Sequence, residues 1–346
     1  MRLKRIDSLP SGGQSGELDL IRQIRSRAGE TSSARLRLGI GDDCALLRPR
    51  SGEELAVTTD LSIAGRHFRL DWHSAESAGH RALARGLSDL AAMGARPVAA
   101  FLSLGLPREL TTPVGRRRAW VEGFLDGLLA LAAAYKTPLA GGDLSESPLA
   151  LADIVLIGAV PRGKALLRST ARPGHSLYVT GELGGASAGL GRLAELAETQ
   201  PAGKHPPRIP KKLEALLTPH LYPQPRIAQG LWLVRHGLDS AAIDLSDGLS
   251  TDLAHLCEES GVSAEVDAAL LPIHTGATLA QALNGGEYYE LLFTAPATAR
   301  LPRSLAGVAI TRIGRIAQAR PGQAAVTLLS AEGPRSLEPH GWEHFS

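Results

Sequence analysis

Ala241-Ala242-Ile243-Asp244-Leu245-Ser246-Asp247-Gly248-Leu249 reads as a short apolar strand, Ala241 to Asp244, that breaks into an acidic turn and reopens as a helix. The helix carries its apolar stripe at Leu249, Leu253, Leu256 and Cys257 and stops at Gly261, the spacing of one buried helical face closed by a glycine. Asp247 and Gly248 then fall at a helix N-terminus, where free N–H groups and the helix dipole favour an anion, and where Asp247 also suits a plain cap. Working outward, Leu55 to Thr59, Val98 to Leu104, Ile154 to Val160 and Ser176 to Thr180 read as strands alternating with helical patterns. This predicts an α/β (α+β) fold. Ser74 to Met93 is the clearest helix: Ser74 caps it, Leu83, Leu87 and Leu90 form one stripe, Gly94 ends it, and Asp89 points away from the stripe.

With 346 residues the chain exceeds the roughly 250 that one core supports, so two domains are expected. Pro161-Arg162-Gly163 and Ala171-Arg172-Pro173-Gly174 break regular structure twice, which sets the division at 1–162 and 163–346. The Pro-, Lys- and Arg-rich stretch from Thr199 to Pro225 is expected to be a surface excursion of the second domain. Hydrophobic residues at 44% and charged residues at 21% exclude disorder, and a net charge of +2 is too small to argue for nucleic acid. Arg116-Arg117-Arg118 reads as a solvated helix face. Cys44 and Cys257 form no metal spacing and indicate a reducing compartment. The charged start Met1 to Asp7 runs into Ser8-Leu9-Pro10 without the apolar core of a secretory signal, and no run approaches the roughly 20 apolar residues of a membrane span. A soluble, cytoplasmic protein is expected.

Five short carboxylate motifs carry the chemistry: Gly41-Asp42-Asp43, Thr58-Thr59-Asp60, Leu87-Ser88-Asp89, Gly141-Gly142-Asp143 and Asp244 to Gly248. Any one alone is ordinary turn or cap chemistry. Five together predict convergence, and converging carboxylates require cations. Hard oxygen ligands spread over loops suit Mg²⁺, which keeps some waters and shares the phosphates of its substrate. Gly158 to Ala165 approaches a P-loop, but Ala165 stands where a Mg²⁺-binding hydroxyl belongs and Pro161 spoils the following helix. Gly185-Ala186-Ser187-Ala188-Gly189 matches a nucleophile elbow, yet Glu182-Leu183-Gly184 separates it from its strand; small residues opening a helix explain it better. The histidines form no zinc spacing, and His67 is singled out for following Asp60 closely.

In order, Gly39 to Ala45, Thr58-Thr59-Asp60, Leu87 to Ala95, Gly141-Gly142-Asp143, Tyr178-Val179-Thr180-Gly181, Ile243 to Leu249, Gly285-Gly286-Glu287 and Gly341 to Phe345 resemble the motifs of thiamine-monophosphate kinase. The resemblance implies a two-domain AIR-synthetase-like (PurM-like) fold that dimerises through its N-terminal sheet. It implies phosphorylation of thiamine monophosphate by ATP to thiamine diphosphate, without a P-loop, as the last step of that cofactor's biosynthesis. It also implies Mg²⁺ at Asp43, Thr58, Thr59, Asp60, Asp89, Asp143, Asp244 and Asp247, ATP at Gly142, Arg168 and Ser246, and thiamine phosphate at His67, Glu287 and Trp342.

Two departures stand out: Tyr288 replaces an acid after Gly285-Gly286-Glu287, which questions the pocket there, and Leu144-Ser145 replace two threonines after Asp143. The alternatives are a selenophosphate synthetase or hydrogenase-maturation enzyme, each lacking here the Cys-bearing segment typical of it, or a non-catalytic nucleotide or thiamine-phosphate binder. The implied mechanism is direct in-line transfer, in which the ionised acceptor phosphate needs no general base.

Overall fold

A computed structural model describes residues 17–29, 35–113, 118–199, 206–238 and 240–341. Its first part comprises α1 (Glu17–Ala28), β1 (Leu36–Leu38), β2 (Leu46–Leu47), β3 (Glu53–Ile63), α2 (Ala75–Ala92), β4 (Arg96–Leu106), α3 (Trp120–Ala134), β5 (Leu139–Glu146) and β6 (Leu151–Pro161). Strands β3, β6, β4 and β5 lie side by side in that order, with β4 and β5 parallel and the other pairs antiparallel. The second part comprises β7 (His175–Thr180), α4 (Gly185–Glu198), α5 (Lys211–Leu221), α6 (Ile227–His236), β8 (Ala242–Asp244), α7 (Leu249–Ser260), β9 (Val262–Asp267), α8 (Leu279–Asn284), β10 (Leu291–Pro296), β11 (Ser304–Leu305), β12 (Val308–Gln318), β13 (Val326–Ser330) and β14 (Gly333–Ser336). Its sheet runs β14-β13-β9-β12-β7-β10-β8, with β11 beside β12. Every expected strand is present, most of them longer than the apolar run that signals them. No helix among the described residues is long and apolar enough to cross a membrane.

Helix α2 organises the molecule. Ser74, in extended conformation, caps it by accepting a hydrogen bond from the Ser77 amide at 3.1 Å, and Gly94 at φ 62° closes it. Leu83, Leu87 and Leu90 are buried in the main core; truncating any one to Ala costs about 2–5 kcal/mol. Contact with α3 is very close, because a Cβ at Gly79 would stand 1.8 Å from the Phe124 carbonyl and one at Gly127 1.8 Å from that of Glu76. Two glycines facing across the helix pair let the backbones meet.

Alternation along the second sheet ties the halves together. On β10, Leu291 and Phe293 join the core around α2, whereas Leu292 joins the core around α7. On β8, Ala242 faces the α2 side and Ile243 the α7 side. Asp244, two residues after Ala242, therefore arrives on the α2 face, where Ser88 donates to its Oδ2 at 2.7 Å. Asp89 lies on the side of α2 away from the apolar stripe, as its spacing predicts, and is half-buried there.

Of the stretch expected as a surface excursion, the last residues are packed in, while 206–219 are mostly exposed or half-buried. From Leu221 to Arg226 it lies against α2, and its carbonyls are met by side chains: Ser77 donates to Leu221 at 2.9 Å, His80 pairs with Pro223 at 2.8 Å, and Tyr135 donates to Pro225 at 2.8 Å. Arg81 donates to the His220 carbonyl. Prolines offer no N–H for a ladder, so the segment is held through its acceptors instead.

Candidate functional site

A cavity of about 690 Å³ opens between α2, the loop 65–73, α4, and the turns after β8 and α8. Asp60, Asp89 and Asp244 form one end of it. Asp60 comes from β3, where alternation puts it with Thr58 on the helix-facing side. Thr58 donates to Asp89 Oδ2, and Arg85 donates to Asp60 Oδ1 through Nη2 at 3.2 Å and Nε at 3.3 Å. Burial, then Asp244 and Asp60, push the Asp89 carboxyl up to about 8. Burial likewise lifts Asp244 to about 6 against the Ser88 hydrogen bond and Arg168. Asp60 is also raised, by burial, although Arg85 opposes it. This end of the cavity is short of positive charge.

The other end is built on Glu287. Arg81 Nη2 donates to its Oε1 at 2.5 Å, and His220 Nδ1 lies 3.5 Å from its Oε2. Burial pushes the carboxyl up, but Arg81, His220 and Arg85 outweigh it and hold Glu287 at about 2. His220 shares a 2.9 Å hydrogen bond between Nε2 atoms with His73, so one ring donates and the other accepts. Burial first, then Arg81, keeps both neutral, His73 at about 4. His67 accepts the Ile63 amide on Nδ1 at 3.1 Å, which leaves the proton of its neutral ring on Nε2.

Glu287 and Tyr289 are non-glycine residues at φ 62° and 52°, a conformation that costs about 1–3 kcal/mol each. Hydrogen bonds from the Glu287 amide to Ser246 (2.7 Å) and the Tyr289 amide to Leu245 (2.9 Å) pin the turn to the segment after β8. The Arg226–Glu290 ion pair, with Thr180 donating to Glu290 at 2.6 Å, locks its far end. Thus Tyr178-Val179-Thr180-Gly181 and Gly285-Gly286-Glu287 act as one unit, although more than a hundred residues separate Thr180 from Glu290.

Residues 41–160 match the family described as AIR synthase related protein, N-terminal domain. Thiamine-monophosphate kinase of Escherichia coli (strain K12) is 39% identical over 343 residues, covering 96% of this chain and 98% of that protein. The chain belongs to the thiamine-monophosphate kinase family. The crystal structure of thiamine-monophosphate kinase from Stenotrophomonas maltophilia K279a shares its fold at a TM-score of 0.75 and 38% identity, over 89% of this chain and 95% of that one. The structure of AaThiL complexed with AMPPCP and TMP matches at a TM-score of 0.70 and 31% identity, over 95% and 97% of the two chains. The fold is thus the AIR-synthetase-like one that the sequence motifs imply.

Of the expected site residues, Asp60, Asp89, Asp244, Ser246, Asp247, His67 and Glu287 line the cavity. Thr58 reaches it through Asp89, and Arg168, at its edge, is near enough to lower both Asp89 and Asp244. Four others lie elsewhere. Thr59 alternates to the exposed face of β3. Gly142 and Asp143 are on β5, across the sheet: Asp60 is in register with Ile154, Ile154 with Leu102, and Leu102 with Gly142. Three strand spacings are about 14 Å. A Cβ at Gly142 would stand 1.8 Å from the Leu102 carbonyl, so that glycine permits the β4–β5 approach. Asp43 is exposed in the bend between β1 and β2, and Trp342 lies outside the described residues.

Ahead of α7, Asp252 Oδ2 accepts the Asp247 and Gly248 amides at 3.1 and 3.0 Å. Gly248 is the N-cap residue, and Asp252 holds the turn before it from within the first turn of the helix. Tyr288 is turned away from the cavity into the core around α7, where its hydroxyl donates to the Gln281 carbonyl. Sequence reading missed Arg81, Arg85, His73 and His220. The first two stand eight and four residues before Asp89 on a helix already recognised, a visible signal; His220 sits in a proline-rich stretch with none.

Proposed function

We propose that the chain transfers the γ-phosphoryl group of ATP to the phosphate of thiamine monophosphate. The observation that carries this reading is the charge pattern of the cavity: an ionised Glu287 held by Arg81 at one end, and a carboxylate cluster at the other. Thiamine monophosphate has a matching layout, a cationic thiazolium joined to a phosphate. An acceptor-phosphate oxygen attacks the γ-phosphorus, the bond to the β-bridging oxygen breaks, and ADP leaves with that electron pair. No proton has to be removed from the acceptor, so no general base is required.

The carboxylate cluster fits Mg²⁺. Among the described residues no three Asp, Glu, His or Cys side chains converge enough to hold an ion alone, which suits a metal that shares waters and substrate phosphates. Asp60, Asp89 and Asp244 would hold it, joined in this proposal by Thr58 and Asp247; Asp43, Thr59 and Asp143 lie too far away to share that ion and would hold a further one. Bound there, Mg²⁺ would neutralise phosphate charge. Ser246, Arg168 and Gly142 would contact ATP, and His67, Glu287 and Trp342 the thiamine phosphate.

We also propose a cytoplasmic homodimer with the domain division at 162/163. Its support is the outer face of β3, where Leu55, Val57 and Leu61 are 44%, 61% and 45% exposed, an apolar row that a second sheet would cover. Gel filtration tests this. The test of function is incubation with ATP, Mg²⁺ and thiamine monophosphate, with an EDTA control. Thiamine diphosphate that vanishes with EDTA supports the reading; ADP without it names another acceptor; ATP binding without turnover indicates a binder.

A further inference from the structure

Arg81, Arg85 and Asp89 stand four residues apart on α2, so they share one face of the helix at about 6 Å per step. Arg81 grips Glu287, and Asp89 belongs to the carboxylate cluster. Arg85 lies midway and lines the cavity. Its pairing with Asp60 is incomplete: Nε and Nη2 both reach the same oxygen, Oδ1, at 3.3 and 3.2 Å, so no two-pronged fork forms. Among the described residues its Nη1 meets no acceptor.

We propose that Arg85 binds the phosphate of the acceptor substrate. The inference rests on the substrate class proposed above and adds the residue that reads its phosphate. A phosphate tethered to a cation at Glu287 comes to lie one or two helical turns along α2, between two carboxylates that repel it. Arg85 is the cation at that position, and its planar fork matches a phosphate as it does not match a single oxygen of Asp60. Asp60 holds the guanidinium in place until the phosphate takes the open prongs.

The test is equilibrium binding of thiamine monophosphate and of unphosphorylated thiamine, by calorimetry, to the protein loaded with Mg²⁺ and the non-hydrolysable AMPPCP. Wild type should prefer the phosphate ester. R85M should bind the ester about 10- to 100-fold more weakly, the range for losing charge-assisted hydrogen bonds, and bind thiamine unchanged. R85K, keeping charge without the fork, should fall between. An equal loss for both ligands in R85M, or a loss for neither, overturns the assignment. If R85M fails to bind AMPPCP and is therefore misfolded, R85K decides, and a wild-type preference in R85K overturns it. A wild-type protein that binds neither thiamine nor its phosphate overturns the substrate class itself, and Arg85's role with it.

Discussion

Replacing Arg81 with Met tests whether the organic end of the cavity is held electrostatically. Arg81 is 4% exposed. Its guanidinium donates to Glu287 at 2.5 Å, to the His67 carbonyl at 3.1 Å and to the His220 carbonyl. Met keeps the bulk of the stem and deletes these bonds together with the one from Nη1 to His220 Nδ1 at 3.2 Å. Removing one partner of a buried ion pair costs about 3–5 kcal/mol. The Glu287 side chain is 27% exposed on the cavity wall, so the lower bound, about 3 kcal/mol, applies. With 346 residues and about 2.1 cal/mol/K of unfolding entropy each, that lowers Tm by about 4 °C. Thermal melts of wild type, R81M, E287Q and R81M/E287Q measure it. The double variant has no stranded carboxylate and should regain about half of the loss. If it melts no higher than R81M, Glu287 was never stranded and the reasoning fails.

Other outcomes follow from the same electrostatics. Because Glu287 is held at about 2 against an ordinary 4.5, its stabilisation is complete above about pH 4.5 and disappears as pH falls through 2; the stability gap between wild type and E287Q should close over that window in acid melts. Burial and its carboxylate neighbours already keep Asp89 largely protonated near neutral pH without metal, so the neutral amide of D89N should leave the metal-free Tm equal to or above that of wild type, while turnover drops at least about 100-fold. Mg²⁺ at 100 times its Kd stabilises by about 2.7 kcal/mol; D89N should lose most of that gain, and an undiminished gain would remove Asp89 from the metal site. Y288D puts a carboxylate into the core beside Asp252, whose own carboxyl is pushed up to about 8 by burial, Asp244 and Asp247. Tm should fall by about 4 °C or more and KM for thiamine monophosphate should stay put; a lower KM would place position 288 in the pocket after all.

Much of this was legible because it is local. The stripe Leu249, Leu253, Leu256 and Cys257 is fully buried as its spacing predicts, and Ser74 caps α2 as its position predicts. Asp60, Asp89 and Asp244 line one cavity because each ends up on a face turned toward it, a parity that alternation and helical spacing carry. The order of the second sheet was not legible, since strands far apart in sequence such as β8 and β10 pair through the whole fold. Tyr288 is ambiguous for a related reason: only the left-handed backbone on either side of it turns its ring away from Glu287. The proline-rich segment misled because prolines usually signal exposure, whereas here donors 90 to 144 residues away meet its carbonyls.

That clamp also bears on motion. Ser77, His80, Arg81 and Tyr135 fasten 220–225 to the first half of the chain, and Arg226 fastens its end to Glu290, just before β10. The junction between the sheets is therefore welded rather than hinged. Swinging one half from the other to admit reactants would break all of these bonds at once. The part of the rim free of that clamp is the loop 65–73, which lines the cavity.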